Sequence, residues 1–244
     1  MNVSKSGKIY LIPNVISEGT ENKVVPPAVL SVIQDIHYYL AEDIRNGRRF
    51  LSKLMKLLPE NKRHKIESLE FKLLDKRTLY EEAVELMRPV KNGMDCGVIS
   101  ESGCPGIADP GSIIVKAAHQ AGIQVIPLTG PSSILLALMG SGMNGQSFTF
   151  HGYLPINKKE LIRKIKKLET LSESNYQTQI FIETPYRNQK LFETLLEACA
   201  PHTRLCVASG ITGSEAFIHT MEISEWNNHK IQLKKTPAVF LIET

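Results

Sequence analysis

Four cysteines, a single tryptophan and no long apolar run are what this 244-residue chain has least of. Its apolar stretches are short, as in Ile134 to Met139. None has the roughly twenty residues that a bilayer-crossing helix needs. Lys5 and Lys8 precede the first strand-like run with no apolar segment between, so no secretory signal is visible and the expected address is the cytoplasm. The cysteines at 96, 104, 199 and 206 make no C-x-x-C, and the seven histidines make neither H-x-H nor H-E-x-x-H. No metal is therefore expected, and the thiols read as reduced and mostly buried. The composition, 42% hydrophobic and 22% charged, excludes a disordered or coiled-coil chain.

Charge is segregated. The whole chain carries +4, but residues 45 to 77 hold eleven basic and four acidic residues, a net +7. Residues 156 to 170 hold six basic and two acidic, a net +4. Such windows suit an anionic partner such as a phosphate backbone, although solvated helix faces give the same pattern.

The first half alternates strand and helix. Lys8 to Ile12, His37 to Ala41, Leu69 to Leu74, Cys96 to Ser100 and Ile123 to Leu128 read as strands. Between them, Pro27 to Ile36, a helix capped by Asp43, Leu79 to Val90 with Leu79, Ala83, Leu86 and Met87 on one apolar face, and Ile113 to Ala121 read as helices. Alternation of this kind implies a mainly parallel sheet with helices on both faces. Thr129-Gly-Pro-Ser-Ser133 punctuates the chain before a helix at Ile134, dividing it into an α/β domain over 1–128 and a second over 129–244. In the second, a strand at Phe148 to His151 precedes a basic helix from Lys158 to Leu168, and Ser172 to Asn175 reads as a loop. A strand at Gln179 to Glu183, a helix at Gln189 to Cys199 and three closely spaced strands near 205–208, 216–223 and 238–243 predict a mixed sheet.

Chemistry points first to Ser100-Glu-Ser-Gly-Cys-Pro-Gly-Ile-Ala-Asp-Pro-Gly111, rich in turn residues at the carboxyl end of a parallel strand. Open α/β sheets bind ligands at such ends. The stretch is neither a Walker A loop nor G-x-G-x-x-G. Gly130-Pro-Ser-Ser133 opens a helix, where backbone N–H groups suit an anion or hydroxyl, or where a serine simply caps. Ala41-Glu-Asp-Ile-Arg45 and Glu183-Thr-Pro-Tyr-Arg187 each gather acid and arginine at a strand-to-helix junction, as a site or as an ordinary cap with a local ion pair.

Taken with Lys8-Ile-Tyr-Leu-Ile-Pro13, Pro127-Leu-Thr-Gly-Pro-Ser-Ser133 and Phe150-His-Gly-Tyr-Leu-Pro155, these motifs give a series that resembles the tetrapyrrole methylase superfamily, the class III S-adenosylmethionine (SAM) methyltransferases. Within it the chain is most similar to bacterial enzymes that 2′-O-methylate a ribose of small-subunit ribosomal RNA. The resemblance implies two αβα domains with SAM in the cleft between them, and a homodimer. Transferred residue by residue, Ser102, Gly103, Cys104, Ile107 and Ala108 would line the cofactor, with Ser132 and Ser133 on its other side. Pro13, Leu154, Ala208 and Pro237 match strand ends that close the pocket. Three stretches depart from the rRNA enzymes: Asn14-Val-Ile-Ser-Glu-Gly-Thr20, Ala208-Ser-Gly-Ile211 and Lys235-Thr-Pro237.

A ribose hydroxyl must lose a proton during transfer, which makes Glu183 or Glu42 the expected base. Arg45 and Arg187 are the expected phosphate contacts, and Lys158, Lys159, Arg163 and Lys164 the expected contacts to an RNA backbone, in ribosomal RNA or the small ribosomal subunit. The alternatives are a methyltransferase for a tetrapyrrole or another small molecule, and an RNA-binding module whose SAM pocket has decayed.

Overall fold

Strands that pair in parallel and are covered on both faces must be apolar on both faces. Tyr38–Ala41 and Cys96–Ile99 meet that condition, with every residue buried. The computed structural model describes residues 6–229, 231–233 and 235–244, so Lys5 lies outside the described residues. The chain divides into two compact units, Met1–Pro131 and Ser132–Thr244.

In chain order the first unit comprises β1 (Ile9–Ile12), α1 (Glu21–Val24), α2 (Pro27–Ile33), β2 (Tyr38–Ala41), α3 (Ile44–Met55), β3 (Glu70–Leu73), α4 (Tyr80–Leu86), α5 (Arg88–Lys91), β4 (Cys96–Ile99), α6 (Gly111–Gln120) and β5 (Val125–Pro127). Its five strands are all parallel, in the order β3-β2-β4-β1-β5. Residue alternation along the strands divides the core in two. Ile12, Tyr39, Ala41, Phe71 and Ile99 pack with α2 and α3 on one face. Ile9, Tyr38, Leu40, Cys96 and Val98 pack with α4, α5 and α6 on the other.

The second unit comprises α7 (Ser133–Ser141), β6 (Phe148–Tyr153), α8 (Lys158–Asn175), β7 (Thr178–Glu183), α9 (Asn188–Ala198), β8 (Arg204–Ser209), β9 (Phe217–Glu222), α10 (Ile223–Trp226) and β10 (Ala238–Glu243). Its sheet runs β6-β7-β10-β8-β9, parallel between β6 and β7 and antiparallel elsewhere. Phe181, Leu205, Val207, Phe240 and Ile242 form the core beneath α8, α9 and α10. α7 packs on β8, β9 and β10.

Two sequence expectations need correction. The stretch Leu79 to Val90 is two helices, because Pro89 has no N–H to continue the first and instead sits in the first turn of α5. Leu79 is the exposed cap of α4 rather than part of its apolar face. Ser172 to Asn175 is not a loop: α8 runs through Asn175 and ends at Tyr176 in the left-handed region, φ 49°. Its polar end is accounted for by burial, since Ser172 is fully buried and its hydroxyl oxygen accepts a hydrogen bond from the Thr244 backbone N–H at 3.0 Å.

One turn earlier, the buried Glu169 binds three donors: Ala200 N–H at 2.6 Å, the Thr203 hydroxyl at 2.7 Å and Lys166 Nζ at 3.1 Å. Truncating it removes the carboxylate partner of a backbone N–H and of the fully buried Thr203 hydroxyl. Glu169→Ala should therefore cost about 3 kcal/mol. The check is urea denaturation followed by the fluorescence of Trp226, which is the only tryptophan and is buried in this same unit.

Candidate functional site

β1 and β4 lie side by side, so the segments that leave their carboxyl ends emerge together. Asn14, 6% exposed, ties them. Its backbone N–H donates to the Gly103 carbonyl at 2.8 Å. Its carboxamide nitrogen donates to the carbonyls of Ser100 at 2.9 Å and Glu101 at 3.1 Å. The Ser100 hydroxyl donates to the same Gly103 carbonyl at 2.8 Å. Further along the loop, the Asp109 carboxylate accepts from Gly106 N–H at 2.5 Å and Gly111 N–H at 2.8 Å, pinning the approach to α6. Burial raises the Asp109 carboxyl above its ordinary value, and these two hydrogen bonds offset part of the rise.

The fastened loop takes unusual backbone. Gly103 has φ +69°, and a Cβ there would press to 3.3 Å from the Pro131 carbonyl oxygen. Ala108 occupies the same left-handed region, φ 59°, which disfavours any residue with a Cβ and is held only by its surroundings. The Cys104 thiol donates weakly to the carbonyl of Pro131 at 3.4 Å and that of Gly130 at 3.7 Å. Gly130 packs so tightly on the buried Pro13 that an added Cβ would overlap the proline ring. Of the predicted loop residues, Gly103 is buried and Cys104 half-buried, while Ser102, Ile107 and Ala108 are exposed. Ile107 leaves 47% of its surface accessible in a loop whose backbone is otherwise pinned.

Acidic groups gather at the same sheet edge. Glu42 follows β2, and its carboxyl is raised from the ordinary value by burial first, then by the charges of Glu101 and Asp109. Asp43 caps α3 by accepting from Asn46 N–H at 2.8 Å, and Asn46 in turn donates its carboxamide to Glu101 at 3.1 Å. Arg45 is exposed, with no carboxylate within ion-pair distance among the described residues. Beside these groups lies a polar cavity of about 300 Å³, lined in part by Asn14, Asn46, Arg49, Lys53 and Glu101. A larger cavity of about 1100 Å³ lies between the β3 edge and α4, lined in part by Leu73, Leu86 and Met94. It touches none of the predicted site residues, so its size assigns it no role.

In the second unit, Ser132 is the buried N-cap residue of α7 and Ser133 its first residue. Glu183 ends β7, buried, with one oxygen accepting from Arg187 Nη2 at 2.6 Å, Arg187 Nε at 3.0 Å and Thr184 N–H at 2.6 Å. Arg187 is thus already engaged by a carboxylate. Leu154 and Ala208 are buried, Leu154 in the apolar core and Ala208 paired within the sheet, whereas Pro237 is exposed. On α8, Lys159 and Arg163 are exposed and Lys164 half-buried, and Lys158 pairs with Glu197 at 2.9 Å.

The sequence reading missed Asn14, Asn46 and Asp109. A signal existed for Asn14, an asparagine directly after the proline that ends a strand, but its partners lie 86 and 87 residues away. Among the described residues, no group of three His, Cys, Asp or Glu side chains is placed to hold a metal, and no helix is long and apolar enough to cross a membrane.

No family model matches the chain. Individual relatives do. It is 28% identical over 243 residues to a protein of Vibrio cholerae named ribosomal RNA small subunit methyltransferase I, covering 96% of this chain and 76% of that one. The protein of the same name from Escherichia coli O157:H7 is 25% identical over 249 residues, covering 98% and 79%. One from Streptococcus pyogenes is 30% identical over 197 residues, covering 80% and 61%. Among solved structures, the methyltransferase CobJ superposes with a TM-score of 0.61 at 20% identity, covering 98% of this chain and 95% of that one. A uroporphyrin-III C-methyltransferase from Thermus thermophilus, complexed with S-adenosylhomocysteine, gives 0.56 at 15% identity, covering 97% of each chain. The likeness in sequence reaches methyltransferases along nearly the whole chain, and the likeness in structure reaches one fold: the chain is a methyltransferase with the tetrapyrrole methylase fold.

Proposed function

We propose that the chain is a SAM-dependent methyltransferase that modifies a ribose 2′-hydroxyl of small-subunit ribosomal RNA. The observation that carries this reading is the near-full-length similarity to proteins named for that rRNA. The chemistry of the first unit supports it. SAM, when bound, supplies a methyl group already activated by its sulfonium. The residues at the carboxyl edge of the sheet suit such a group. Ile107 offers exposed apolar surface and Ser102 an exposed hydroxyl, and Gly103, buried, turns the backbone between them and the strand. Cys104 and Ala108 belong to the same loop, and Pro13, buried against Gly130, packs behind it. Ser132, Ser133, Leu154, Ala208 and Pro237 are the contributions assigned to the second unit. Ala208, wholly buried, can offer only its backbone, and Leu154 acts as packing.

Glu42 is the better base of the two candidates. A carboxylate that burial and neighbouring negative charge make more basic holds a proton more readily, and a ribose hydroxyl has one to give. Glu183 is instead held by Arg187, and its role is to orient that guanidinium. Arg45, exposed at the first turn of α3, is placed to meet a phosphate. Lys158, Lys159, Arg163 and Lys164 are secondary contacts to the same backbone. A homodimer and a cytoplasmic address complete the reading.

A tetrapyrrole acceptor is the second reading, favoured by the structural likeness to a uroporphyrin-III C-methyltransferase. A small acidic acceptor has no need of the two extended basic segments at 45–77 and 156–170, which weighs against it. Incubation with labelled SAM and either small ribosomal subunits or a tetrapyrrole pool decides between them. Label is expected in the ribose of small-subunit rRNA, and label in the tetrapyrrole pool alone would overturn the proposal. Calorimetric titration with SAM should give heat, since a decayed pocket gives none.

Replacing the base tests the mechanism. Glu42→Gln should lower turnover by about 10²–10⁴-fold and abolish the rise of wild-type rate with pH through the range above an ordinary glutamate. It should also raise stability. The folded state binds the Glu42 proton more tightly than the unfolded chain does, so wild-type stability falls as pH rises through the unfolded and then the folded value. Thermal melts should therefore show the variant ahead of wild type at neutral pH and level with it in acid, below the ordinary glutamate range.

A further inference from the structure

The basic charge of the first unit is arranged, not merely present. From Arg45 to Lys65 there are eight lysines and arginines against one acid, Glu60. Arg45, Arg48, Arg49, Lys53 and Lys56 recur at the three- and four-residue spacings of one helix face, while Phe50, Leu51, Leu54 and Met55 bury the other. At 1.5 Å per residue the stripe from Arg45 to Lys56 is about 16 Å long. Two of its members are spoken for. Lys53 pairs with Glu21 at 2.8 Å and Glu18 at 3.2 Å, and Arg49 stands 3.9 Å from Glu18.

The segment after α3 extends the stripe because two residues fold it back. Arg63 donates to the carbonyls of Leu58 at 2.8 Å and Lys56 at 3.2 Å. His64 stacks near His37 and donates to the Gln34 carbonyl at 2.5 Å. Between and beyond these anchors, Lys56, Lys62 and Lys65 are exposed, with no carboxylate within ion-pair distance among the described residues. Arg48 rests its guanidinium over the Phe71 ring at 5.4 Å, which leaves it outside any ion pair. At the other end, Arg45 lies three residues after Glu42, and Asn46 is bonded to Glu101 of the pinned loop. The stripe therefore leads to the sheet edge that carries the proposed base.

We infer that this surface, from Arg45 along α3 to Lys65, is where the acceptor RNA backbone lies, its phosphates running towards Glu42. The inference rests on the RNA reading above and moves the main RNA contact away from α8. There Lys158 is answered by Glu197, and Lys166 by Glu169. A flexible polyanion binds best where cations are unpaired and held on an ordered surface. Arg45, Lys56, Lys62 and Lys65 meet that condition, and their stripe, unlike α8, belongs to the unit that carries Glu42. Arg45, nearest the chemistry, positions the reacting nucleotide, while Lys56, Lys62 and Lys65 hold the strand that leads to it.

The experiment titrates a short fluorescein-labelled single-stranded RNA into the full chain at increasing salt. It compares wild type with the triple variant Lys56→Gln, Lys62→Gln, Lys65→Gln and with Lys159→Gln, Arg163→Gln, Lys164→Gln in α8. The first triple should weaken binding by about tenfold and flatten the slope of log K against log salt by about 2, the loss of three phosphate contacts at ~0.7 each. The arginine counterparts of the same three lysines should keep the wild-type slope, and the heat of SAM binding should be unchanged throughout. A wild-type slope in the first triple, or a larger loss from the α8 triple, would overturn the inference. Label transfer to rRNA by wild type is scored separately. Transfer with an unchanged slope sinks the surface and spares the reaction, whereas a flattened slope with no transfer spares the surface and sinks the reaction.

Discussion

Everything proposed for the first unit depends on one carboxamide. Asn14 spends its side-chain donors and its backbone N–H on the carbonyls of Ser100, Glu101 and Gly103, at the point where two neighbouring strands release the chain. A twelve-residue loop rich in glycine and proline would otherwise sample many conformations, and ordering it would cost affinity. Fastened at its start by Asn14 and near its end by Asp109, it holds Gly103 and Ala108 in left-handed backbone. Preorganisation of this kind places the organising hydrogen bonds behind the loop and leaves its outward surface for binding.

The same edge shows why an acid can serve as a base here. Glu42 is only partly buried, and burial alone would shift it less. Glu101 and Asp109 contribute because the loop carries them back towards the end of β2. Asn46 holds Glu101 in place, and Asp43 holds Asn46 by capping the helix. Helix capping, loop position and proton affinity are thus links in one chain of contacts, which runs from the first turn of α3 to the residue proposed to take the proton.

Most of the architecture was legible in the residues. Fully apolar four-residue runs such as Tyr38–Ala41 announced central parallel strands, and Asp43 announced the helix it caps. What failed locally failed for tertiary reasons. Ser172 to Asn175 is polar and looks like a loop, yet Ser172 is buried against the chain end and α8 continues through it. Leu79 matched an apolar helical face and proved to be an exposed cap. The turn-rich loop was found from its composition, whereas the residue that fastens it was not, since no local pattern reveals bonds spanning more than eighty residues. Glu183 and Arg187 were named as base and as phosphate contact, with a local ion pair as the alternative, and it is that ion pair which the structure forms.

Strand order in the first unit also bears on how the chain emerges from the ribosome. β1 is made first but lies between β4 and β5, the last two strands of its sheet to be made. Its partners arrive about ninety residues later, a wait of roughly 5–20 s at ordinary translation speed. Until then Ile9 and Ile12, both destined to be wholly enclosed, lack the two strands that flank them. A nascent chain of this kind offers early work to a chaperone, and it completes its first sheet only in a late, nearly simultaneous closure.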